Sequence, residues 1–388
     1  MSKLNRRDFL KMGATAGAGA MLASCGPKAP SCDPASLPDL STGETIPMED
    51  LITAAKCDGA VNIIAIPHDW ANYGVAIEAF KAKYGLTMNE NNPDAGSADE
   101  LEAIRANKGN KGPEVPDTVD VGIGYGPSSK EEGLCSKYFL STWDTIPLKD
   151  PDGYWFAEYY GILTFETIEG AATPPADWED LLKPEYKGKV AMAGDVLKSN
   201  ESVMTVMAAG ISRAGGIDAT VESATAAAQK GLEFWKEVVD SGNFIPVIAD
   251  IGKITAGETP VTVQWDYLSL GNRDKLAGNP NLIITVPSSA NVGGPYIGFV
   301  SAYAPHPYAG RLWYEYLMSD EGQLTWLSGY AYPIRYNDMA ARGVIPADLA
   351  AKLPPADLVA KAVFLTLDQQ AAIKAYITEN WRKVVYGE

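Results

Sequence analysis

Two stretches of the chain follow one grammar without repeating in sequence: a short apolar run, a turn, a helix-period segment, then another apolar run. In the first stretch, Val61-Asn62-Ile63-Ile64-Ala65-Ile66 reads as a buried strand closed by Pro67. Residues 71–84 place Val75, Ile77, Phe80 and Tyr84 near helical spacing, with Gly85 as the expected C-terminal cap. A strand at 86–88 follows. Ser97 and Glu100 then form a capping box that opens a helix to about residue 107, and residues 118–123 read as a third strand. A further helix is expected earlier, over 48–57. The grammar restarts with a strand at 189–192, helices at 201–214 and 221–241, and strands at 260–265 and 282–286. This alternation predicts α/β lobes with parallel sheets and right-handed crossovers, and two such units predict two lobes. Apolar, strand-like segments at 160–167 and 296–304 sit at the transitions and read as paired crossings. The expected division is 49–160 plus 297–388, with a largely helical tail, for lobe one and 161–296 for lobe two.

Composition narrows the function. The chain has 388 residues and a formal net charge of −17, which argues against nucleic acid, because phosphate binding needs clustered Lys and Arg. Two histidines, His68 and His306, exclude a zinc site built on several imidazoles, and four cysteines nearly exclude a Cys-rich one. Gly122-Ile123-Gly124-Tyr125-Gly126-Pro127 superficially matches a dinucleotide loop, but Pro127 stands where the third glycine is needed. No nucleophile elbow, P-loop or His-Glu-x-x-His motif occurs. The expectation is no cofactor, no metal and no turnover.

The N-terminus reads as an address. A basic start leads into a weakly apolar Gly/Ala-rich stretch at 12–24, too short for a bilayer span. Arg6-Arg7-Asp8-Phe9-Leu10-Lys11 resembles the twin-arginine export motif, with Asn5 in place of the usual Ser. Leu22-Ala23-Ser24-Cys25 resembles the bacterial lipoprotein box, which implies removal of residues 1–24, lipidation of Cys25 and anchoring to the membrane. Residues 25–48 begin Pro-rich and lack periodicity, so they read as a flexible tether. Export permits disulfides. Cys57 and Cys135 are a candidate pair that would leave Cys32 free, with unbonded thiols as the alternative.

Three segments carry a family resemblance. Trp178-Glu179-Asp180-Leu181-Leu182-Lys183-Pro184-Glu185-Tyr186-Lys187-Gly188-Lys189-Val190, Ala256-Gly257-Glu258-Thr259-Pro260-Val261, and Ala304-Pro305-His306-Pro307 followed by Arg311-Leu312-Trp313 and Ser319-Asp320-Glu321-Gly322-Gln323 occur in this order. Together they resemble the solute-binding proteins of ABC importers, in the branch of iron(III), polyamine, thiamine and phosphonate binders. The resemblance implies an α/β, two-lobed type II periplasmic-binding-protein fold, with two hinge crossings and ligand in the cleft. It also implies delivery of a small-molecule solute to ABC permease subunits. A monomer is expected.

Ligands of open α/β sheets bind beyond the carboxyl ends of strands. Asp69, Trp70 and Tyr73 follow the first strand, Tyr125 the third, and Trp265, Asp266 and Tyr267 a strand of lobe two; Tyr296 opens the second crossing. Trp70 and Tyr73, at i and i+3, can share a helix face. Polyamine binders of the family carry a similar Trp-x-x-Tyr, where the rings sandwich alkyl and ammonium groups. Asp69 and Asp266 are the candidate ammonium partners. The structural alternative has both rings packed in lobe one and Asp69 capping a helix. Ser97 and Ser199 stand at helix starts, where backbone N–H groups favour anions, or serve as ordinary caps. The expected ligand is an organic amine such as a polyamine, with a phosphonate or sugar phosphate as the alternative. Ferric iron ranks lower, because Trp265 stands where iron binders carry the first of two adjacent tyrosines, and Tyr159-Tyr160 reads as packing. An exported enzyme using Asp69, Asp266 and His68 is the competing reading, and His306 reads as a local hydrogen-bonding element.

Overall fold

Two long strands organise the molecule, which is described here from a computed structural model over residues 32–351, 353, 359 and 361–388. The expected leader, Cys25 and the start of the tether lie outside the described residues. The first lobe opens with α1 (Met48–Asp58), β1 (Ala60–Ile64), α2 (Tyr73–Tyr84), β2 (Thr87–Asn91), α3 (Ser97–Ala106) and β3 (Thr118–Gly122). The chain then leaves through β4 (Phe156–Ile168). The second lobe holds β5 (Val190–Met192), α4 (Asn200–Ala214), α5 (Val221–Asp240), β6 (Phe244–Ile248), β7 (Val261–Trp265), α6 (Asp266–Leu276) and β8 (Leu282–Thr285). β9 (Asn291–Ser301) returns to α7 (Pro307–Leu317) and α8 (Asp320–Ser328), and the chain ends through β10 (Ala362–Val363) and α9 (Leu367–Trp381). No helix among the described residues is long and apolar enough to cross a membrane.

β4 and β9 pair antiparallel from Gly293 opposite Ile162 to Gly298 opposite Phe156. Beyond that shared segment, β9 continues against β3 and β4 continues against β7 and β8. Both crossings differ in extent from the apolar segments seen in the sequence: β4 starts earlier, its beginning masked by the charge of Glu158, and β9 starts earlier, masked by Gly293-Gly294-Pro295. The larger sheet is mixed rather than parallel, while β1 and β2 form a separate parallel pair. β1 pairs β2 in parallel, and β5 pairs β6 and β7 in parallel. The crossing strands run against β3 and β7 because one carries the chain out and the other carries it back. Two of their glycines are steric necessities. A Cβ on Gly294 would lie 2.1 Å from the Trp265 ring, and one on Gly161 would lie 2.6 Å from the Tyr267 ring.

The expected cap of α3 is displaced by one residue. Gly96 takes the cap position, and the Asp99 carboxylate accepts from its N–H at 3.3 Å. Ser97 and Glu100 are instead drawn to β3: Ser97 Oγ accepts from Gly122 N at 3.1 Å and Glu100 Oε2 from Asp120 N at 2.9 Å. In lobe two, α4 and α5 cross backbone to backbone. A Cβ on Gly210 would come within 2.0 Å of the Ala227 carbonyl oxygen, and one on Gly231 within 2.2 Å of that of Val206.

Cys57 bonds Cys32, with Cα atoms 5.5 Å apart, and not Cys135, which is a buried free thiol. Cys135 lies on a short strand against Ser301 of β9, inside lobe one. The described part of the expected tether is therefore docked. Its Pro38 carbonyl accepts from Tyr308 Oη at 2.7 Å, Thr45 Oγ1 donates to Phe139 O at 2.7 Å, and Ile46 is buried. The tail also contacts the second lobe. α9 packs along α5, and Gln369 Nε2 donates to Asp218 O at 2.7 Å and Thr220 O at 3.0 Å, while the same helix touches the 123–125 turn of lobe one.

Candidate functional site

The lobes enclose a cavity of about 700 Å³. Its lobe-one wall comes from the loop after β1, the start of α3 and the end of β3. Its lobe-two wall comes from the loop into α4, the end of β6 with the Ala249–Ile251 turn that follows it, and Leu268 and Asn272 on α6, and Tyr296 of β9 closes the floor. Of the ten residues singled out from the sequence, Asp69, Trp70, Ser97, Ser199 and Tyr296 line this cavity. Tyr73, Tyr125, Trp265, Asp266 and Tyr267 lie behind its walls.

Trp70 is the centre of an aromatic wall. Its ring meets Tyr296 at 5.5 Å and Tyr267 at 5.6 Å, both edge to face. Trp265 donates from Nε1 to Tyr296 Oη at 3.3 Å, so both tryptophans belong to one cluster. Tyr159 stacks on Tyr296 at 5.5 Å. It also carries a polar relay: Trp70 Nε1 donates to Tyr159 Oη at 2.6 Å, and Tyr159 Oη donates to Asp120 Oδ2 at 2.6 Å. Tyr159 is thus packing and wiring at once.

Tyr73 does not share a face with Trp70. Ala71 and Asn72 both adopt left-handed backbone, φ 45° and 66°, so α2 begins only at Tyr73 and the i, i+3 geometry never forms. Tyr73 is fully buried between Trp326 and Tyr159. Asp266 is also no ammonium partner. It is buried at the start of α6, accepts from Ile162 N at 3.0 Å, and burial pushes its carboxyl up to about 7. Tyr125 is buried with the Lys374 ammonium 3.0 Å from its ring centroid. Burial lowers Lys374 to about 8. Asp69 reaches the cavity rim but spans the lobes to Lys275 at 3.0 Å, as Asp99 does to Lys198 at 3.0 Å. His68 pairs with Glu90 at 2.6 Å and does not line the cavity. His306 holds buried Asp117 through Nδ1 at 2.8 Å and its own N–H at 2.7 Å.

Sequence reasoning missed the carboxyls that matter most here. Eight carboxyl side chains and one cation, Lys198, line the cavity. Glu100, Asp120 and Glu201 among them are buried, and none forms an ion pair among the described residues. Glu201 Oε1 accepts from Trp265 N at 2.6 Å, and burial raises its carboxyl to about 8. Burial likewise raises Glu100 well above the carboxylate range and raises Asp120 despite the Tyr159 hydrogen bond. A readable signal did exist: Asp120 interrupts the apolar strand Val119-Asp120-Val121, where a charge needs a reason. Among the described residues, no group of three or more His, Cys, Asp and Glu converges as a metal site would require.

This fold and cleft define a class, the two-lobed proteins that close around a solute. The sequence agrees: a model for the bacterial extracellular solute-binding protein family matches residues 118–359, and the chain belongs to that family. A twin-arginine translocation signal model matches residues 3–23, consistent with export. No curated protein matches in a direct sequence search. Solved structures share the fold. The periplasmic binding protein P5PA aligns with a TM-score of 0.66 at 16% identity, over 84% of this chain and 99% of that one. AfuA from Actinobacillus pleuropneumoniae, with fructose-6-phosphate bound, gives 0.65 at 17%, over 84% and 99%. A putative spermidine/putrescine ABC transporter protein from Listeria monocytogenes gives 0.61 at 14%, over 84% and 99%.

Proposed function

We propose that the chain captures an organic amine between its lobes and hands it to the permease of an ABC importer, without chemical turnover. One observation carries this reading: buried Glu100, Asp120 and Glu201 face the cavity with no basic partner, beside the rings of Trp70 and Tyr296. A buried carboxylate without a counter-charge is costly. An ammonium supplies that charge through charge-assisted hydrogen bonds, and an aromatic face adds about 0.5–2 kcal/mol. The Listeria protein of the same fold, described as a spermidine/putrescine transporter, is consistent with this.

The starts of α3 and α4 at the cavity favour the anionic alternative, and AfuA of the same fold was solved with a sugar phosphate. Eight carboxyls against one lysine oppose a second negative charge there. Ferric iron would need phenolates, and burial raises Tyr159, Tyr267 and Tyr296 well above the ordinary phenol value. We further propose that lipidated Cys25 anchors a monomer to the cell membrane, and that the hinge runs through β4 and β9.

Thermal melting against putrescine, spermidine, fructose 6-phosphate and phosphate tests the ligand class. An amine at 100 times its dissociation constant adds about 2.7 kcal/mol of stability, and Asp120→Asn should remove most of that gain. Stabilisation by the anions alone, unchanged in Asp120→Asn, overturns the amine reading.

A further inference from the structure

The cavity carboxyls sit on a larger acid cluster. Asp120 of β3 is faced by Glu100 from α3, Glu158 and Tyr159 from β4, Tyr73 from α2, Tyr314 from α7 and Tyr296 from β9, with Glu201 of α4 across the cavity. Glu158 is fully buried, and burial and the neighbouring Asp120 carboxyl both raise it. Among the described residues, no Lys, Arg or His stands within this group. Glu100, Asp120, Glu158 and Glu201 therefore hold four carboxyls in low dielectric without one compensating cation. They cannot all be ionised in the empty protein.

We propose that ligand entry is a cation-for-proton exchange: an ammonium enters this cavity and drives at least one proton from the carboxyl cluster into solvent. The inference rests on the amine reading and adds its stoichiometry. The one bond that breaks is the carboxyl O–H, and its proton passes to water. The amine arrives as R–NH3+, because free amines ionise near 10.4. A neutral carboxyl becomes the carboxylate that receives it, and the proton leaves, so the net charge of the cavity is the same before and after. The relay from Trp70 through Tyr159 to Asp120 places the exchanging carboxyl next to the aromatic wall that receives the cation. The sign follows from linkage. Burial raises Glu100, Asp120, Glu158 and Glu201, so near neutrality the empty protein retains protons that the complex lacks. Affinity then rises with pH, by about tenfold per unit for each proton released, and levels off once the carboxyls ionise unaided.

Two measurements test this on the mature protein. Infrared difference spectra of the empty protein should show a protonated-carboxyl band at about pH 7 that weakens in Glu201→Gln and in Asp120→Asn. Calorimetry with spermidine and putrescine, in two buffers of different ionisation enthalpy, should show about one proton released per ligand near pH 7, with that number lower in either variant. If the band is missing at neutral pH, or if an amine binds with no proton released, the exchange is refuted while the amine reading survives. If the band is present but neither amine binds, both fall. The wild-type band and proton count decide the matter even if a variant fails to fold.

Discussion

Gly122 ends β3 on the lobe-one wall, and Asn200 opens α4 on the lobe-two wall opposite. A Cβ added at Gly122 would lie 2.2 Å from Asn200 Cγ and 2.5 Å from its Cβ and Oδ1. Its backbone, φ −58° and ψ 144°, suits alanine, so Gly122→Ala introduces no local strain in lobe one. The clash is purely between lobes. Rotating the Asn200 side chain does not relieve it, because the Asn200 Cβ is itself too close. The lobes must stand apart by more than an ångström to reach ordinary contact near 3.5–4.0 Å. Overpacking of this kind costs about 1–3 kcal/mol, charged entirely against the closed state. At about 1.4 kcal/mol per decade, Gly122→Ala should weaken ligand binding by roughly 5- to 150-fold while the melting temperature of the empty protein stays within a degree or two. Titration calorimetry with the stabilising amine gives the affinity, and small-angle scattering should show ligand-induced compaction in the wild type and less in the variant. Adding Asn200→Gly should recover most of the loss. Wild-type affinity and full compaction in Gly122→Ala would show that this contact does not limit closure.

The Cys32–Cys57 bond closes a loop of 25 residues, for which chain entropy predicts about 3 kcal/mol of stabilisation; Cys32→Ser should lower the melting point by several degrees, and an unchanged melt under reductant would refute this. Gly210→Ala should destabilise by about 1–3 kcal/mol despite its better helix propensity, because the new Cβ meets the Ala227 carbonyl on fixed backbone; chemical denaturation checks it. Asp117 raises the pKa of His306 above its ordinary 6.5, so the pair's contribution is fully present below about pH 6.5 and is lost as pH rises through the raised value. His306→Gln should therefore be most destabilising in acid and progressively less so in mild alkali, and a stability difference that grows with pH would contradict the assignment.

Much of the architecture was legible because hydrophobic periodicity is a local property. The strands near 61–66, 118–123 and 260–265 and the helices ending at Gly85 and near Ala214 follow from it. What escaped was set by contacts distant in sequence. The antiparallel course of β4 and β9 depends on chain path, not on local pattern. Ser97 looked like a cap because its sequence neighbourhood fits one, yet Gly122 N, twenty-five positions away, holds its hydroxyl. Cys57 finds Cys32 because the proline-rich segment folds back onto lobe one, which no spacing rule shows. At the site, strand-end position identified Trp70, and the start of the second crossing identified Tyr296, but Tyr73 was misplaced, since two left-handed residues between Trp70 and the helix reset its facing. The acids were passed over because a buried Glu or Asp without a basic partner contradicts the ordinary expectation for charged residues.

That contradiction explains why binding and closure belong together. Trp70 comes from lobe one, Trp265 and Tyr267 from lobe two, and Tyr159 and Tyr296 from the strands that cross between them. The ring contacts that complete the wall, Trp70 to Tyr267 above all, exist only when the lobes meet. The acids divide the same way, with Glu100 and Asp120 on one side and Glu201 on the other. Without a ligand, closure buries acids that must either keep their protons or bear an uncompensated charge and offers little in return, since the exposed bridges Asp69–Lys275 and Asp99–Lys198 contribute about 0–1 kcal/mol each. With a cation in the gap, the same approach gives a carboxylate its counter-charge and adds a ring face. A ligand shifts a conformational balance only by its difference in affinity for the two states, and here that difference is built from groups that neither lobe owns alone.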